Sequence, residues 1–315
     1  MFARSMILRT AALKPVERTV RRSRLFRPLV SRFIAGDTLD DAIRASEMLL
    51  AKNLRVTLDY LGENTHREEE AQAAKETYVR MLDRIALVPQ VASYDPSKGK
   101  EPLNISIKLT QFGLGISTEL CKDNVHPLVA RAKELGSRVE IDMEQSSFVD
   151  RTLEIVGLMH ARYGHVRSVI QAYLHRSEKD VECLNKEGIP IRLCKGAYKE
   201  KPDVAIQKKS EVDRNYVRLV DMMLASGVYP AVATHDPNMV SEALRSVKAN
   251  GIKAESFEFQ MLYGIRRDLQ RRLVADGYRL RLYVPFGDAW YPYFMRRLAE
   301  RPANLMFLMR NLFRK

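Results

Sequence analysis

The sequence predicts an α/β chain folded as a (βα)8 TIM barrel, with N-terminal helices before the barrel and a C-terminal helix after it. Short apolar or β-branched segments recur eight times, and segments of helical periodicity lie between them. Strands that alternate with helices form a parallel sheet. Eight such units need about 250 residues, and the chain has 315. Polar residues also recur near the ends of the predicted strands, where a barrel of this type carries its functional groups.

The predicted strands share a short apolar run that stops at a polar residue or a turn. They are residues 56–61, 105–109, 139–143, 169–174, 189–193, 231–234, 257–262 and 280–284. Helical patterns between them are clear at residues 42–52, 68–85, 150–163, 178–186, 211–225 and 241–250. A tail helix is predicted at residues 303–313. We therefore expect an N-terminal helical arm, residues 1–50, that packs on a catalytic barrel of residues 51–315.

Composition limits the class of protein. Hydrophobic residues make up 46% of the chain, enough for a sizeable core, and no apolar run reaches the length of a transmembrane helix. Three cysteines, Cys121, Cys183 and Cys194, are too few and too scattered for a disulfide framework or a zinc site. We expect a reducing, cytoplasmic environment and no metal.

The net charge of +13 is unevenly distributed, because the first 35 residues carry nine arginines and lysines against one acid, Glu17. Three interpretations remain open: an organelle transit peptide, a basic arm that contacts anionic lipid at the inner membrane, or helices packed on the domain. Apolar residues at helical spacing favour packing, since they need a core to cover them: Phe26, Leu29, Val30, Phe33 and Ile34. Nucleic-acid binding is not expected, because no helix-turn-helix, zinc finger or RNP-like motif accompanies the charge.

One face of a predicted helix near the C-terminus carries Tyr293, Arg296, Arg297 and Glu300, at helical spacing. Guanidinium groups bind carboxylates in bidentate geometry, and the glutamate can bind a cationic group. A zwitterion such as an amino acid satisfies both demands. A solvated helix with i,i+4 ion pairs is the simpler interpretation, but the helix follows directly on a predicted strand, which favours a ligand site.

Polar side chains also follow or interrupt the otherwise apolar predicted strands. They are Lys108, Asp142, Gln171, Arg192, Thr234, His235, Asp236, Gln260 and Tyr283. A buried polar group is costly unless it is paired. A single one is explained as a satisfied core group, whereas a ring of them at matching strand ends indicates a ligand site.

The segment after the fifth strand offers a phosphate site. Lys195 is followed by Gly196 and Ala197, small residues that let backbone N–H groups approach a pyrophosphate. His235 is a second candidate contact. A lysine in a barrel also allows Schiff-base chemistry of the aldolase type, with Lys108 or Lys195 as the nucleophile, and the residues alone leave this alternative open.

Taken together, these segments resemble proline dehydrogenase. The matching stretches are residues 105–113 (ISIKLTQFG), 140–143 (EIDM), 169–174 (VIQAYL), 192–198 (RLCKGAY), 233–237 (ATHDP), 257–262 (FEFQML), 283–287 (YVPFG) and 293–300 (YFMRRLAE). They span nearly the whole chain in order. Residues 33–40 (FIAGDTLD) are similar to the N-terminal region of the monofunctional bacterial members, which lowers the weight of a cleaved transit peptide.

The resemblance implies a distorted (βα)8 barrel with non-covalent FAD. It implies oxidation of L-proline to 1-pyrroline-5-carboxylate, the first step of proline catabolism, with hydride transfer from the proline ring carbon to flavin N5. Electrons then pass to a membrane quinone. Hand-over of the product to 1-pyrroline-5-carboxylate dehydrogenase is a further implied partnership.

The resemblance also implies roles by position. The substrate-binding residues are Lys108, Leu262, Tyr283, Tyr293, Arg296, Arg297 and Glu300. Among them, Arg296, Arg297 and Lys108 bind the carboxylate, while Glu300 lies near the amine or orders Arg297. Leu262 and the two tyrosines form the walls around the ring.

The implied catalytic pair is Asp142 and Arg192, with Arg192 near flavin N5. The FAD-binding residues are Met143, Gln171, Arg192, Lys195, Gly196, Ala197, Thr234 and His235. Lys199 departs from the bifunctional members, which often carry an aromatic residue there. Stacking of that residue on the adenine is therefore not expected in this chain.

Overall fold

A computed structural model describes residues 14–23, 26–95 and 101–300. Within these residues, eight parallel strands close a barrel in sequence order, and the last strand pairs with the first. The strands are β1 Arg55–Tyr60, β2 Leu103–Lys108, β3 Val139–Asp142, β4 Val166–Gln171, β5 Ile191–Cys194, β6 Ala231–Ala233, β7 Glu258–Leu262 and β8 Leu280–Phe286. The predicted fold class is confirmed.

Helices precede the barrel and follow each strand. Their bounds are α1 Lys14–Arg22, α2 Arg27–Val30, α3 Leu39–Leu50, α4 Glu68–Ala86, α5 Pro89–Ala92, α6 Thr118–Glu134, α7 Val149–Tyr163, α8 Ser177–Lys186, α9 Lys209–Ser226, α10 Pro237–Ala249, α11 Arg267–Ala275 and α12 Trp290–Glu300. The helix predicted from the arginine pattern is therefore present as α12, directly after β8. The predicted tail helix at residues 303–313 lies outside the described residues.

The bounds of β4 differ from the prediction, which placed this strand at residues 169–174. It ends at Gln171. The apolar residues that follow belong to a loop, in which the N–H groups of Ala172 and Tyr173 donate to the carbonyls of Cys194 and Lys195. The backbone groups of this buried loop are satisfied by hydrogen bonds to a neighbouring loop, as those of a strand are by a neighbouring strand. Its residues can therefore be as apolar as those of a buried strand.

The barrel interior is polar because side chains alternate along each strand. In β3, Val139 and Ile141 are fully buried in the main apolar core. The residues between and after them, Glu140 and Asp142, bond to side chains from other strands of the barrel. The apolar layer therefore lies outside the sheet, under the helices, and the charged residues lie inside it.

A layer of paired charges fills the barrel below the strand ends. The Arg167 guanidinium lies 2.7 Å from Glu140 and 2.6 Å from Glu258, and Arg281 lies 2.9 Å from Glu258. All four side chains are fully buried. Removing one partner of a buried pair typically costs about 3–5 kcal/mol, so this layer forms a fixed floor for the site above it.

The described N-terminal residues share a second apolar core with α12. Its buried members include Val20, Leu29, Phe33, Ile34, Trp290 and Phe294. The Arg21 guanidinium donates to the Asp288 carbonyl at 2.8 Å and lies 5.0 Å from the Trp290 ring centroid. Phe26 and Val30 are partly buried against this second core. No helix within the described ranges is long and apolar enough to span a bilayer.

Candidate active site

Five side chains form one bonded group at the carboxyl ends of the strands, here called the mouth cluster: Asp59, Lys108, Asp142, Arg192 and Tyr283. Lys108 and Asp142 are register partners on β2 and β3. The Lys108 Nζ atom lies 3.0 and 3.2 Å from the two oxygens of Asp59 and 3.1 Å from the hydroxyl of Tyr283. That hydroxyl donates to Asp142 Oδ2 at 2.8 Å. Side chains from five strands thus meet in one small volume.

Asp142 is held as an anion by its donors. Arg192 Nη2 and the Ser106 hydroxyl, the latter at 2.9 Å, both donate to Oδ1. Burial raises the pKa of Asp142, but Arg192 and Lys108 outweigh burial and keep that pKa below its usual value. A carboxylate in this state binds a cationic ligand better than it stores a proton.

Arg192 is fixed from below as well as from the side. Its Nη1 lies 3.1 Å from Glu140 of the charged layer and donates to Gln260 at 3.3 Å. Its Cζ lies 5.2 Å from the ring centroid of Tyr283. A guanidinium with this many partners has one orientation, so the position of Asp142 is also fixed.

The side chain of Lys108 is held in its protonated, ammonium form. Burial lowers the pKa of its ammonium, but the Asp59 carboxylate, Tyr283 and Asp142 outweigh burial and hold that pKa well above its usual value. A nucleophilic lysine needs the opposite, a pKa lowered towards neutrality. This environment argues against Lys108 as a Schiff-base nucleophile.

A second polar group lies at the ends of β5 and β6. Lys195 Nζ bonds to Asp213 of α9 at 2.5 Å and to Asp236 at 3.0 Å. Asp236 caps α10, and its own N–H donates to the hydroxyl of Thr234. His235 Nε2 accepts from the N–H of Leu262 at 2.8 Å, which joins the ends of β6 and β7.

Four further residues of the predicted cofactor site show how the loops pack. Gly196 has φ +105°, and a Cβ there would lie 2.2 Å from the Tyr173 ring, so only glycine fits. The side-chain amide of Gln171 donates to the carbonyls of Met143 and Glu144 at 3.1 and 2.8 Å. Ala197 is exposed, while Met143 is buried.

The predicted arginine helix stands at the same end of the barrel. Tyr293 is buried, and the Cζ atoms of Arg297 and Arg296 lie 5.2 and 6.0 Å from its ring centroid. Arg296 Nη2 also lies 3.1 Å from Glu63, in the loop after β1. The side chain of Glu300 is outside what the structure describes.

Comparison with known proteins settles the family. The family model described as proline dehydrogenase matches residues 42–310. The chain belongs to the proline dehydrogenase family. It is 38% identical to proline dehydrogenase 2 of Bacillus subtilis (strain 168), over 92% of each chain. It is also 38% identical to the proline dehydrogenase of Deinococcus radiodurans, over 97% of this chain and 96% of that protein.

Solved structures of bifunctional members share the fold. Proline utilization A (PutA) from Bdellovibrio bacteriovorus, inactivated by N-propargylglycine, superposes with a TM-score of 0.82 at 26% identity, over 99% of this chain and 38% of that one. PutA from Bradyrhizobium japonicum superposes with a TM-score of 0.74 at 21% identity, over 89% and 31%. This chain therefore spans about a third of the length of these bifunctional proteins.

The predicted family, and with it an enzyme of the oxidative first step of proline catabolism, is confirmed. The roles of individual residues stay predictions. Lys108, Asp142, Arg192 and Tyr283 are brought into direct contact, and Leu262 is the register partner of Tyr283. The predicted cofactor residues lie around β3 to β6, with Lys195 bonded to carboxylates.

Several residues of the site were missed by the sequence analysis. Asp59 interrupts the apolar β1 as Asp142 interrupts β3, and the same alternation rule would have found it. Glu63 gave no signal, because a loop acid finds its partner only through folding. Tyr198 had no assigned role. Burial raises its pKa, and the charges of Glu144 and Glu63 add to that rise.

Proposed function

We propose that this protein oxidises L-proline to 1-pyrroline-5-carboxylate with non-covalently bound FAD, and that a membrane quinone then takes the electrons. The mouth cluster carries the proposal. An ionised carboxylate, Asp142, lies largely buried at the same barrel end as Arg296 and Arg297 of α12. A zwitterion with a ring is the ligand whose charges complement both.

Arg296 and Arg297 bind the substrate carboxylate in this account. Consecutive helical residues point about 100° apart, so the carboxylate lies over the edge of α12 between them. Both guanidinium groups lie near the Tyr293 ring, which limits their rotamers. Glu63 holds Arg296 towards the mouth by an ion pair of 3.1 Å.

Asp142 orients the substrate amine. Oxidation of the ring ammonium to the imine removes a hydride from the ring carbon and two protons from the nitrogen, and both protons pass to solvent. Because Arg192 and Lys108 keep the pKa of Asp142 low, it binds the ammonium and does not retain its proton. Arg192 in turn fixes Asp142. These residues thus supply position and charge, which is the usual contribution of a protein to cofactor chemistry.

The ends of β3 to β6 suit FAD in three respects. Gly196 keeps the loop at residues 195–197 close to Tyr173, where a Cβ would clash. Lys195 lies beside the N-terminus of α10, where its ammonium bonds to Asp213 and Asp236 and keeps its third N–H donor for a pyrophosphate oxygen. The side-chain NH2 group of Gln171 donates to the carbonyls of Met143 and Glu144, so its amide oxygen remains as an acceptor for the cofactor. When bound, FAD supplies the hydride acceptor. Met143, Arg192, Ala197, Thr234 and His235 complete the proposed contacts.

Acid precipitation tests the non-covalent link. Cys194, the cysteine nearest in sequence to the proposed flavin contacts, donates to the Ile170 carbonyl, and burial raises the pKa of its thiol to about 11. A protonated thiol is a poor nucleophile. Precipitation of purified protein with acid should therefore release all the flavin into the supernatant. Flavin that stays with the pellet would contradict this part of the proposal.

Gly196→Ala should lower the flavin content of the purified protein severalfold, because the new Cβ must push the loop away from Tyr173. Gly188→Ala is the matched control. Gly188 also has a positive φ, +70°, but a Cβ added there would meet nothing within 4 Å. Both variants carry backbone strain, and only the first carries the clash. Equal flavin contents, measured by absorbance once circular dichroism has confirmed that both variants fold, would remove the loop from the cofactor site.

Contact with the membrane is the second part of the proposal, as a quinone acceptor requires it. Lys14, Arg18 and Arg22 of α1 are exposed although the helix packs through Val20. Each basic residue near anionic lipid contributes about 1 kcal/mol. We expect the protein to co-sediment with anionic liposomes at low salt and to be released by high salt. A variant with Lys14, Arg18 and Arg22 all replaced by Gln should not co-sediment. Liposome binding that is unchanged by salt and by these substitutions would contradict the proposed electrostatic contact with the membrane.

A further inference from the structure

The guanidinium of Arg192 is held by two carboxylates of one strand. Glu140 and Asp142 are two residues apart on β3, so their side chains lie on the same face of the sheet. Arg192 Nη1 lies 3.1 Å from Glu140 Oε2, and Arg192 Nη2 bonds to Asp142 Oδ1. The guanidinium therefore reaches from the charged layer to the mouth cluster, and Glu140 joins the two groups.

The two oxygens of Glu140 have different cationic partners. Oε1 lies 2.7 Å from the Arg167 guanidinium, whereas Oε2 pairs with Arg192. Gln260 Nε2 lies 3.2 and 3.3 Å from these two oxygens. The Glu140 side chain is fully buried, so its charge acts on Arg192 with little screening by solvent.

Arg192 depends on both carboxylates for the balance of its charge. Burial lowers the pKa of the Arg192 guanidinium, but the charges of Asp142 and Glu140 outweigh burial and hold that pKa above its usual value. In the proposed reaction the substrate ammonium shares the charge of Asp142. Glu140 belongs to the layer below the mouth, so it remains with Arg192 when a substrate is bound.

We propose that Glu140 is a positioning residue that tunes the bound flavin through Arg192: it fixes the guanidinium from below and offsets its charge, and so limits how readily the flavin accepts electrons. Hydride transfer adds negative charge to a flavin, and a less compensated cation beside the flavin would favour its reduced form. This inference rests on the proposed function, because it assumes that FAD binds beside Arg192.

Glu140→Gln tests this role in the FAD-loaded protein. The amide keeps the shape of the side chain, and its oxygen can still accept from Arg192, but the negative charge is lost. At a fixed redox poise, set with a reference dye, the ratio of reduced to oxidised flavin should rise about tenfold. The flavin absorbance gives this ratio without substrate and without turnover.

Glu258→Gln is the matched control. Glu258 is also fully buried in the charged layer and lies 2.6 Å from the Arg167 guanidinium. Its further partners are Arg281 and the Tyr229 hydroxyl, and among the described residues no contact joins it to Arg192. The variant removes the same charge from the same layer, and the ratio of reduced to oxidised flavin should change by less than about threefold.

Two double variants decide the question if a single variant does not fold or does not retain flavin. Glu140→Gln/Arg167→Met and Glu258→Gln/Arg167→Met each remove one charge of each sign, and they differ only in which glutamate is neutralised. The first should still raise the ratio of reduced to oxidised flavin, by about threefold, because Arg192 loses its own anion. The second should leave the ratio at its wild-type value.

The contradicting results are distinct. If Glu140→Gln leaves the ratio of reduced to oxidised flavin at its wild-type value, Glu140 has only a structural role and the inference is wrong. If the two single variants, or the two double variants, change this ratio by the same factor, contact with Arg192 has no special effect and the inference is also wrong. A purified wild type that binds no flavin would overturn the proposed function, and this inference with it.

Discussion

Asp142→Ala is expected to lower kcat/KM for proline by about a thousandfold. The substitution removes the carboxylate that accepts hydrogen bonds from Arg192, Ser106 and Tyr283. Arg192 is then left with fewer anionic partners. Truncating one partner of a buried, hydrogen-bonded charge pair between protein and ligand costs about 2–5 kcal/mol of binding free energy, and about 4 kcal/mol corresponds to a factor of roughly a thousand. The flavin content should be retained, since the cofactor is held mainly by residues of β4 to β6.

Glu144→Gln is the matched control for Asp142→Ala. Glu144 follows β3, the strand that ends at Asp142, and is also buried, but both of its oxygens bond to Thr110. In Glu144→Gln the amide oxygen can still accept from the Thr110 N–H, and the amide NH2 can donate to the Thr110 hydroxyl. Its kcat/KM should stay within about threefold of wild type. Equal losses in the two variants would mean that the site depends on its total charge and not on Asp142.

Arg297→Met should raise KM for proline by roughly ten- to a hundredfold, because a hydrogen bond to a charged group contributes roughly 1.5–3 kcal/mol. Arg297→Lys should recover only part of the loss, since an ammonium cannot bind a carboxylate in bidentate geometry. Arg272→Met removes an exposed arginine from neighbouring α11 and should leave KM unchanged.

Pyrrolidine, the ring without its carboxylate, shows what Arg297 recognises. Wild type should prefer proline over pyrrolidine strongly, and Arg297→Met should lose most of that preference. The comparison uses kcat/KM for both compounds with the same artificial electron acceptor. If wild type and Arg297→Met prefer proline by the same factor, Arg297 does not bind the carboxylate and this part of the account is wrong.

The fold was predictable because each strand is a short apolar segment between helical patterns, and this pattern specifies a parallel barrel. The bounds were less accurate. Residues 172–174 are apolar because they are buried in a loop that bonds to Cys194 and Lys195, and periodicity cannot distinguish that environment from a strand. The polar interior was predictable in part, since Arg192 and Asp142 stand at alternating positions in apolar strands.

Partners that depend on tertiary packing could not be predicted. Lys195 was singled out from its loop, but Asp213 reaches it from α9, a helix later in the chain. The ion pair between Arg296 and Glu63 joins the first and last units of the barrel. Asp59 is a different case, because its alternation in β1 was visible, and the rule applied to the other strands was not applied to this one.

An anaerobic absorbance spectrum tests the central claim most directly. Purified protein reconstituted with FAD should show the bands of oxidised flavin, and stoichiometric L-proline should bleach them, with 1-pyrroline-5-carboxylate formed in equal amount. Asp142→Ala, with the same flavin content, should bleach about a thousandfold more slowly. A protein that binds no flavin, or a bound flavin that proline leaves oxidised, would contradict the account.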